Sequence, residues 1–286
     1  MLQIMISMLL CYLSRQVQTP TNLLLLSLAV SDFCVGLLML LQTVLIDGCW
    51  YFGPILCAVY YVSDYIITSA SIGTMVLISV DRYVAICDPL RYPTKITQKR
   101  VQVSVCLCWM CSAVFHIVRF KNNLKQPGRY NSCFGQCMVV IDYAAGLADL
   151  FLSFIGPVTV IIVLYMRVFV VAVTQARAMR SHIAAVTLQY SVTVTANKSE
   201  MKAARTLGVV IVVFLLCLSP YYFVAITGQD TFINASSAAF VIWLFYFNSC
   251  LNPVIYAFFY PWFRKSIKLI VTLQILQPGS CDANIL

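Results

Sequence analysis

The chain has 286 residues, 61% of them hydrophobic and 10% charged, with a formal net charge of +9 and a mean hydropathy of +0.88. A soluble domain carries about 45–50% apolar and about 25% charged residues, so this composition excludes a soluble enzyme, a disordered chain and a nucleic-acid binder. The positive charge therefore has to be read first as membrane topology rather than as polyanion binding.

A membrane-crossing helix needs about 20 mainly apolar residues. Met1–Leu13 falls short of that and lacks the basic start and small-residue cleavage site of a signal peptide. It is expected to be the inner half of an incomplete first helix. Six runs of full length follow, at 22–46, 54–80, 101–118, 143–173, 206–227 and 237–259. They bring the expected spans to seven, in an all-α membrane bundle. Segment 174–200 is polar, basic and rich in Ser and Thr, and is expected to be an inner loop. Segment 260–273 alternates apolar and basic residues at helical spacing, the pattern of a short amphipathic helix lying on the inner membrane face. One domain over 1–273 is expected, with 274–286 as a short cytoplasmic tail. Many of the 13 Cys lie inside the apolar runs, where they act as small hydrophobes.

Basic residues fall unevenly between the spans. Fifteen of the 19 lie in one set of connections, from Arg15 through Arg82–Arg100 and Arg167–Arg205 to Arg264–Lys268. The other four, Arg119, Lys121, Lys125 and Arg129, lie between the fourth and fifth spans. The positive-inside rule makes the first set cytoplasmic and puts the N-terminus outside and the C-terminus inside.

Ten acidic residues are present, and several stand where lipid would be: Asp32 in the second span, Asp64 in the third, Asp81 at its inner end and Asp149 in the fifth. A charge at the bilayer centre costs at least about 2.5–3.5 kcal/mol on insertion scales, so such residues face the bundle interior and mark function or a structural polar bond. Asp64, Thr68 and Ser71 are spaced to share one helix face, as are Asp149 and Ser153. Two carboxylates in an outward-opening pocket suit a cation. His116 and His182 are isolated, no cysteine–histidine cluster has zinc spacing, and no phosphate loop or nucleophile elbow is present.

The motifs in order are LSLAVSD (26–32), Trp50 in WYFG, Cys57, Asp81-Arg82-Tyr83, Trp109, Pro157 with Tyr165, Phe214 with Pro220, and Asn252-Pro253-x-x-Tyr256. Together they resemble a rhodopsin-like, class A G-protein-coupled receptor over nearly the whole chain. NSCLNPVIYAFFYPWF (248–263), GCWYFG (48–53) and CDPLRYPTKIT (87–97) are similar to the trace amine-associated receptors. Another aminergic receptor, such as a serotonin-like one, is the alternative.

The resemblance implies a plasma-membrane receptor for a biogenic or trace amine, coupled to a heterotrimeric G protein of the stimulatory class and used in olfaction. It implies that Asp64 binds the ligand ammonium, with Tyr246 bonded to that carboxylate and Thr68 and Ser153 nearby. Trp243, Tyr221 and Tyr222 would form an aromatic wall, although Tyr222 fits plain core packing equally well. Asp149 resembles the second carboxylate of diamine-recognising members, and then each ammonium of a diamine would meet one Asp. The alternative is that Asp149 bonds a neighbouring helix or points toward Arg129 or another outer-loop base. Arg82 with Glu200, and Asp81 beside it, would form an inner ionic pair. Tyr83, Tyr165, Phe214, Pro220, Asn252, Pro253 and Tyr256 would rearrange on activation. Asp32, Ser71, Asn248 and Asn252 map to a sodium site, or to a water-filled polar cluster. Cys57 and Cys137 map to the family's disulfide, while Cys133 is left either free or paired with Cys49.

Three departures from that family pattern stand out. The first helix is expected to lack its outer half and the glycosylated tail before it, with Ile4 where the family has Asn. Leu218 stands where the family typically has Trp, which keeps a folded but non-signalling paralogue in view. Asn234-Ala235-Ser236 is an outer glycosylation sequon close to the membrane. A cation-coupled transporter is disfavoured, since no inverted repeat is visible.

Overall fold

The computed structural model describes residues 19–46, 50–131, 135–183, 208–209, 211–224, 235–259 and 272. Helices are α1 (Pro20–Ile46), α2 (Gly53–Cys87), α3 (Tyr92–Lys95), α4 (Gln98–Arg119), α5 (Lys121–Lys125), α6 (Tyr143–Asp149), α7 (Gly156–Ile183), α8 (Ile211–Val224) and α9 (Ala235–Phe259). A π-helical turn, Leu150–Ile155, joins α6 to α7. Each of the six full-length apolar runs is helical where it is described, and among the described residues four helical stretches are long and apolar enough to cross a membrane. Met1–Leu13, Glu200, the 260–271 stretch of the amphipathic segment, Cys49, Cys133 and the 274–286 tail lie outside the described residues.

Local chemistry sets the ends. Gly53 enters α2 with φ 83°, a conformation that costs glycine nothing, and Pro54 follows in the first turn, where its missing N–H is harmless. The Thr97 side chain caps α4 by accepting from the Arg100 N–H, and Asp142 caps α6 through Ala145. α2 has 35 residues. At about 1.5 Å per residue it exceeds a hydrocarbon core of about 30 Å. It runs past the expected end at 80, so Asp81, Arg82 and Tyr83 ride on its last turns.

α2 is the central helix, packing against α1, α4 and α7, while α9 packs on α1. The main core joins Leu24, Leu25 and Leu28 of α1, Ile72, Met75 and Ile78 of α2, Ile161 of α7, and Phe214, Leu218 and Tyr222 of α8. α4 is pinned by a polar knot: the Trp109 indole N–H donates to Ser27 Oγ at 3.1 Å, and Ser27 meets the Thr74 hydroxyl at 3.1 Å. The opposite face of α4 exposes Val103, Leu107, Met110, Val114 and Ile117. That spacing makes one continuous apolar stripe, which suits lipid. Ile162, Met166 and Phe169 do the same on α7.

The two ends of the bundle differ. At one, Cys57 and Cys137 are joined by a disulfide. Trp50 is buried against them; its backbone N–H donates to the Gly135 carbonyl and its indole to the Gly53 carbonyl. Asn123 clamps the same connection by bonding both the N–H and the C=O of Val140. At the other end lie Arg82, Thr21 and Tyr92.

Candidate functional site

Asp64 sits in the third of α2 nearest the disulfide. Its Oδ1 is shielded from solvent and accepts no hydrogen bond. The Tyr246 hydroxyl of α9 reaches the same carboxylate. Tyr246 also lies 3.2 Å from the Tyr60 hydroxyl, which in turn donates to Gln42 of α1. The carboxylate is thus held by one phenol, itself fixed by Tyr60, and keeps an acceptor in hand, the arrangement that a cationic N–H donor would complete.

Aromatic rings surround it. The Tyr65 and Tyr221 hydroxyls lie 3.4 Å apart. Tyr221 packs edge-on to Tyr222 at 5.4 Å and tilted against Phe245 at 4.8 Å, while Phe154 stacks on Tyr222 at 4.1 Å. Tyr221 and Tyr222 therefore belong to the wall expected for them, and Tyr222 is both packed core and part of that wall. Trp243 is different: it is 36% exposed and stands outside this stacked set, its place taken by Phe245. Thr68, one turn below Asp64, lines a cavity of about 20 Å³ with Val35, Ser71, Ile72, Phe214, Leu218, Phe245, Asn248 and Ser249.

Asp149 is buried, and Ser153 Oγ donates to its Oδ1 at 2.8 Å, so the two do share a face. Of the two expectations for this carboxylate, a second ligand cation or a basic residue of the protein, the structure places a basic residue beside it. Arg119 Nη1 lies 3.0 Å from Asp149 Oδ2, with the two side chains 4% and 8% exposed. His116 Nε2 is 3.9 Å from the other oxygen. Arg119 is the last residue of α4, not a loop base: its guanidinium folds inward over the Tyr65 ring at 4.4 Å, with Phe120 at 5.3 Å. The π-turn carries Ser153. Its closing bond runs from the Gly156 N–H to the Phe151 carbonyl five residues back, and a Cβ on Gly156 would come 2.9 Å from that oxygen. Pro157 supplies no N–H to the next bond, which favours such a register slip.

At the other end, Asp81 accepts from Arg82 Nε at 2.9 Å, from the Tyr92 hydroxyl at 2.8 Å and from Thr21 at 3.0 Å, while Arg82 Nη2 donates to Thr21 at 2.7 Å. Burial, reinforced by the charge of Asp81, pushes the Tyr92 phenol up to about 12, so it stays a donor. Tyr83 packs with Ile86 and Val168 beside this cluster. Asp32 is buried, as are Ser71 and Asn248, and Asn248 Oδ1 accepts no hydrogen bond. Asn252, Pro253 and Tyr256 lie on α9, but their side chains lie outside the described residues.

Residues 4–256 match the 7 transmembrane receptor (rhodopsin family). The chain is 38% identical to "Trace amine-associated receptor 13c" of Danio rerio, covering 95% of this chain and 82% of that protein. It is 36% identical to "Trace amine-associated receptor 7b" of Rattus norvegicus, over 95% and 78%, and 37% identical to "Trace amine-associated receptor 1" of Mus musculus, over 93% and 83%. The chain belongs to the trace amine-associated receptors of the rhodopsin family.

A trace amine-associated receptor is a multi-pass plasma-membrane receptor, not an enzyme, and works through a small-molecule ligand and a heterotrimeric G protein. In this receptor the disulfide half of the bundle holds residues that sequence reasoning did not single out, Tyr60, Tyr65, Phe154 and Phe245, around the first carboxylate, and it brings Arg119, counted only among the loop bases, and His116, read only as isolated, to the second. Thr21 and Tyr92 were likewise missed at the arginine end. Each is an ordinary aromatic or polar residue until its neighbours are known; only Arg119, flush with the end of an apolar run, carried a signal.

Proposed function

We propose that this receptor is activated by an amine whose ammonium binds Asp64. The observation that carries the reading is the shielded Asp64 Oδ1, which accepts no hydrogen bond although the Tyr246 hydroxyl reaches the same carboxylate. A charge-assisted bond from an ammonium fills that acceptor, and the rings of Tyr221, Tyr222 and Phe245 add cation–π contact of about 0.5–2 kcal/mol. Thr68 and Ser153 supply polar contacts at the margins. The names of the relatives support the amine class.

The diamine reading requires Asp149 to lack a cation of its own. Arg119 supplies one at 3.0 Å, which favours a ligand with a single ammonium. The inner switch of this reading consists of Asp81, Arg82, Tyr83, Tyr165, Glu200, Phe214, Pro220, Asn252, Pro253 and Tyr256, with a stimulatory G protein docking beside it and the disulfide end outside. A sodium ion fits the middle of the bundle: Asp32, Ser71 and Asn248, with Asn252, offer hard oxygen ligands, and the cavity of about 20 Å³ beside Ser71 and Asn248 has room for one small ion or water. Olfactory use accords with the family. Signalling competence depends on Leu218, which is packed in the core.

The test is an amine panel on cells expressing this chain, each amine paired with its N-acetylated, uncharged counterpart. Activation by amines and silence with the acetylated partners is expected. Equal responses to both would remove the ammonium from the recognition.

A further inference from the structure

We propose that Arg119 is the receptor's built-in second cation, occupying Asp149 and thereby selecting monoamines against diamines. This rests on the reading of Asp64 as the ammonium site. Three observations carry it. The guanidinium is nearly buried and ion-paired with a nearly buried carboxylate, whose remaining oxygen is taken by Ser153. It is also joined to the ligand site through one ring: Arg119 lies over Tyr65, the neighbour of Asp64, and the Tyr65 hydroxyl meets Tyr221 in the aromatic wall.

The third observation is how loosely the cluster is bonded. Arg119 Nε and Nη1 make no well-aligned hydrogen bond, and neither does His116 on either nitrogen. Charge and ring contacts hold the guanidinium, not a mesh of directed bonds. A second ammonium could replace it in charge but would have to displace it first.

Charge counting gives the selectivity. Asp64, Asp149 and Arg119 leave the outer pocket with one uncompensated negative charge while His116 is neutral. One ligand ammonium neutralises it. A diamine brings a second cation that finds Asp149 already paired and lies against a guanidinium, so it is penalised by like-charge repulsion and desolvation. Removing the guanidinium reverses this: Asp149 becomes a buried carboxylate in need of a cation, and an α,ω-diamine supplies one while a monoamine does not. Arg119 is a specificity-determining residue that acts by satisfying Asp149, without itself binding the ligand.

The experiment measures receptor activation at matched surface expression for pentylamine against cadaverine and for butylamine against putrescine. Wild type is expected to answer the monoamines at least as well as the diamines. Arg119→Met, which keeps the apolar stem, should move the potency ratio toward the diamine by about tenfold or more. Arg119→Lys, which keeps the charge, should hold the wild-type ratio, and Arg119→Met with Asp149→Asn should cancel the gain. A wild type that prefers the diamine tenfold, or an Arg119→Met receptor at the surface with an unchanged ratio, overturns the proposal. Should Arg119→Met fail to reach the surface, Asp149→Asn decides: an unpaired guanidinium should lower monoamine potency, and unchanged potency overturns the proposal. A wild type that answers pentylamine through Asp64 but fails these tests removes this proposal alone. One that answers no amine removes the Asp64 reading and this proposal with it.

Discussion

Replacing Asp149 with Ala should destabilise the folded receptor far more than replacing Asp149 and Arg119 together. The carboxylate and guanidinium lie 3.0 Å apart with side chains 8% and 4% exposed. At an effective dielectric of about 20, that separation gives an attraction of roughly 5 kcal/mol, which offsets the desolvation of both ions. Asp149→Ala removes the attraction and leaves the guanidinium desolvated; breaking one partner of such a pair costs about 3–5 kcal/mol. It also takes the acceptor from Ser153 Oγ, worth about 1–3 kcal/mol when the hydroxyl stays buried. Asp149→Leu with Arg119→Met removes both charges and restores apolar volume, and such replacements are often neutral. The assay is thermal denaturation of detergent-solubilised receptor, followed by its monodisperse fraction. A large loss for the single variant and recovery for the double are expected. If Asp149→Ala melts with wild type, or the double variant is as damaged as the single, the ion pair does not hold this end of the bundle.

Two further outcomes follow from the packing. Gly156→Ala places a Cβ 2.9 Å from the Phe151 carbonyl oxygen, a backbone atom that cannot swing away. It should cost about 1–3 kcal/mol of thermal stability and lower ligand potency by disturbing Ser153, whereas a wild-type melting curve would mean that the π-turn is not needed. Leu218→Trp should raise the maximal response per surface receptor more than it changes potency, because the ring would bridge the aromatic wall and the polar middle. The cavity of about 20 Å³ beside Leu218 cannot take an indole without movement of Phe214 or Phe245, so a stability cost of about 1–3 kcal/mol should accompany it. Equal maximal responses would make the Leu neutral.

What the sequence made legible is what composition and spacing determine. Apolar runs of spanning length became helices because in lipid the backbone has no other way to satisfy its polar groups. The shared face of Asp149 and Ser153 was readable from spacing, and the Cys57–Cys137 pairing from the family resemblance. Arg119 was not. Counted as a loop base for topology, it lies in the last turn of α4, and whether such a side chain snorkels outward or folds in depends on a carboxylate from another helix. The π-turn escaped because its cause is a single Gly-Pro step whose alternative, a regular helix, leaves the same sequence pattern. Phe245 and Trp243 exchanged roles for a related reason: two aromatics separated by two positions point to different sides of α9, and only the packing of α9 on α1 decides which faces the interior.

The most direct test of the account is the potency of a simple arylalkyl amine on Asp64→Asn compared with wild type at equal surface density. The substitution keeps size and the partnership with Tyr246 while removing the charge. Loss of one partner of a desolvated charge pair costs about 2–5 kcal/mol. A fall in potency of roughly thirtyfold or more is therefore expected, with normal surface expression. Potency within a few-fold of wild type would contradict the assignment of the ammonium to Asp64.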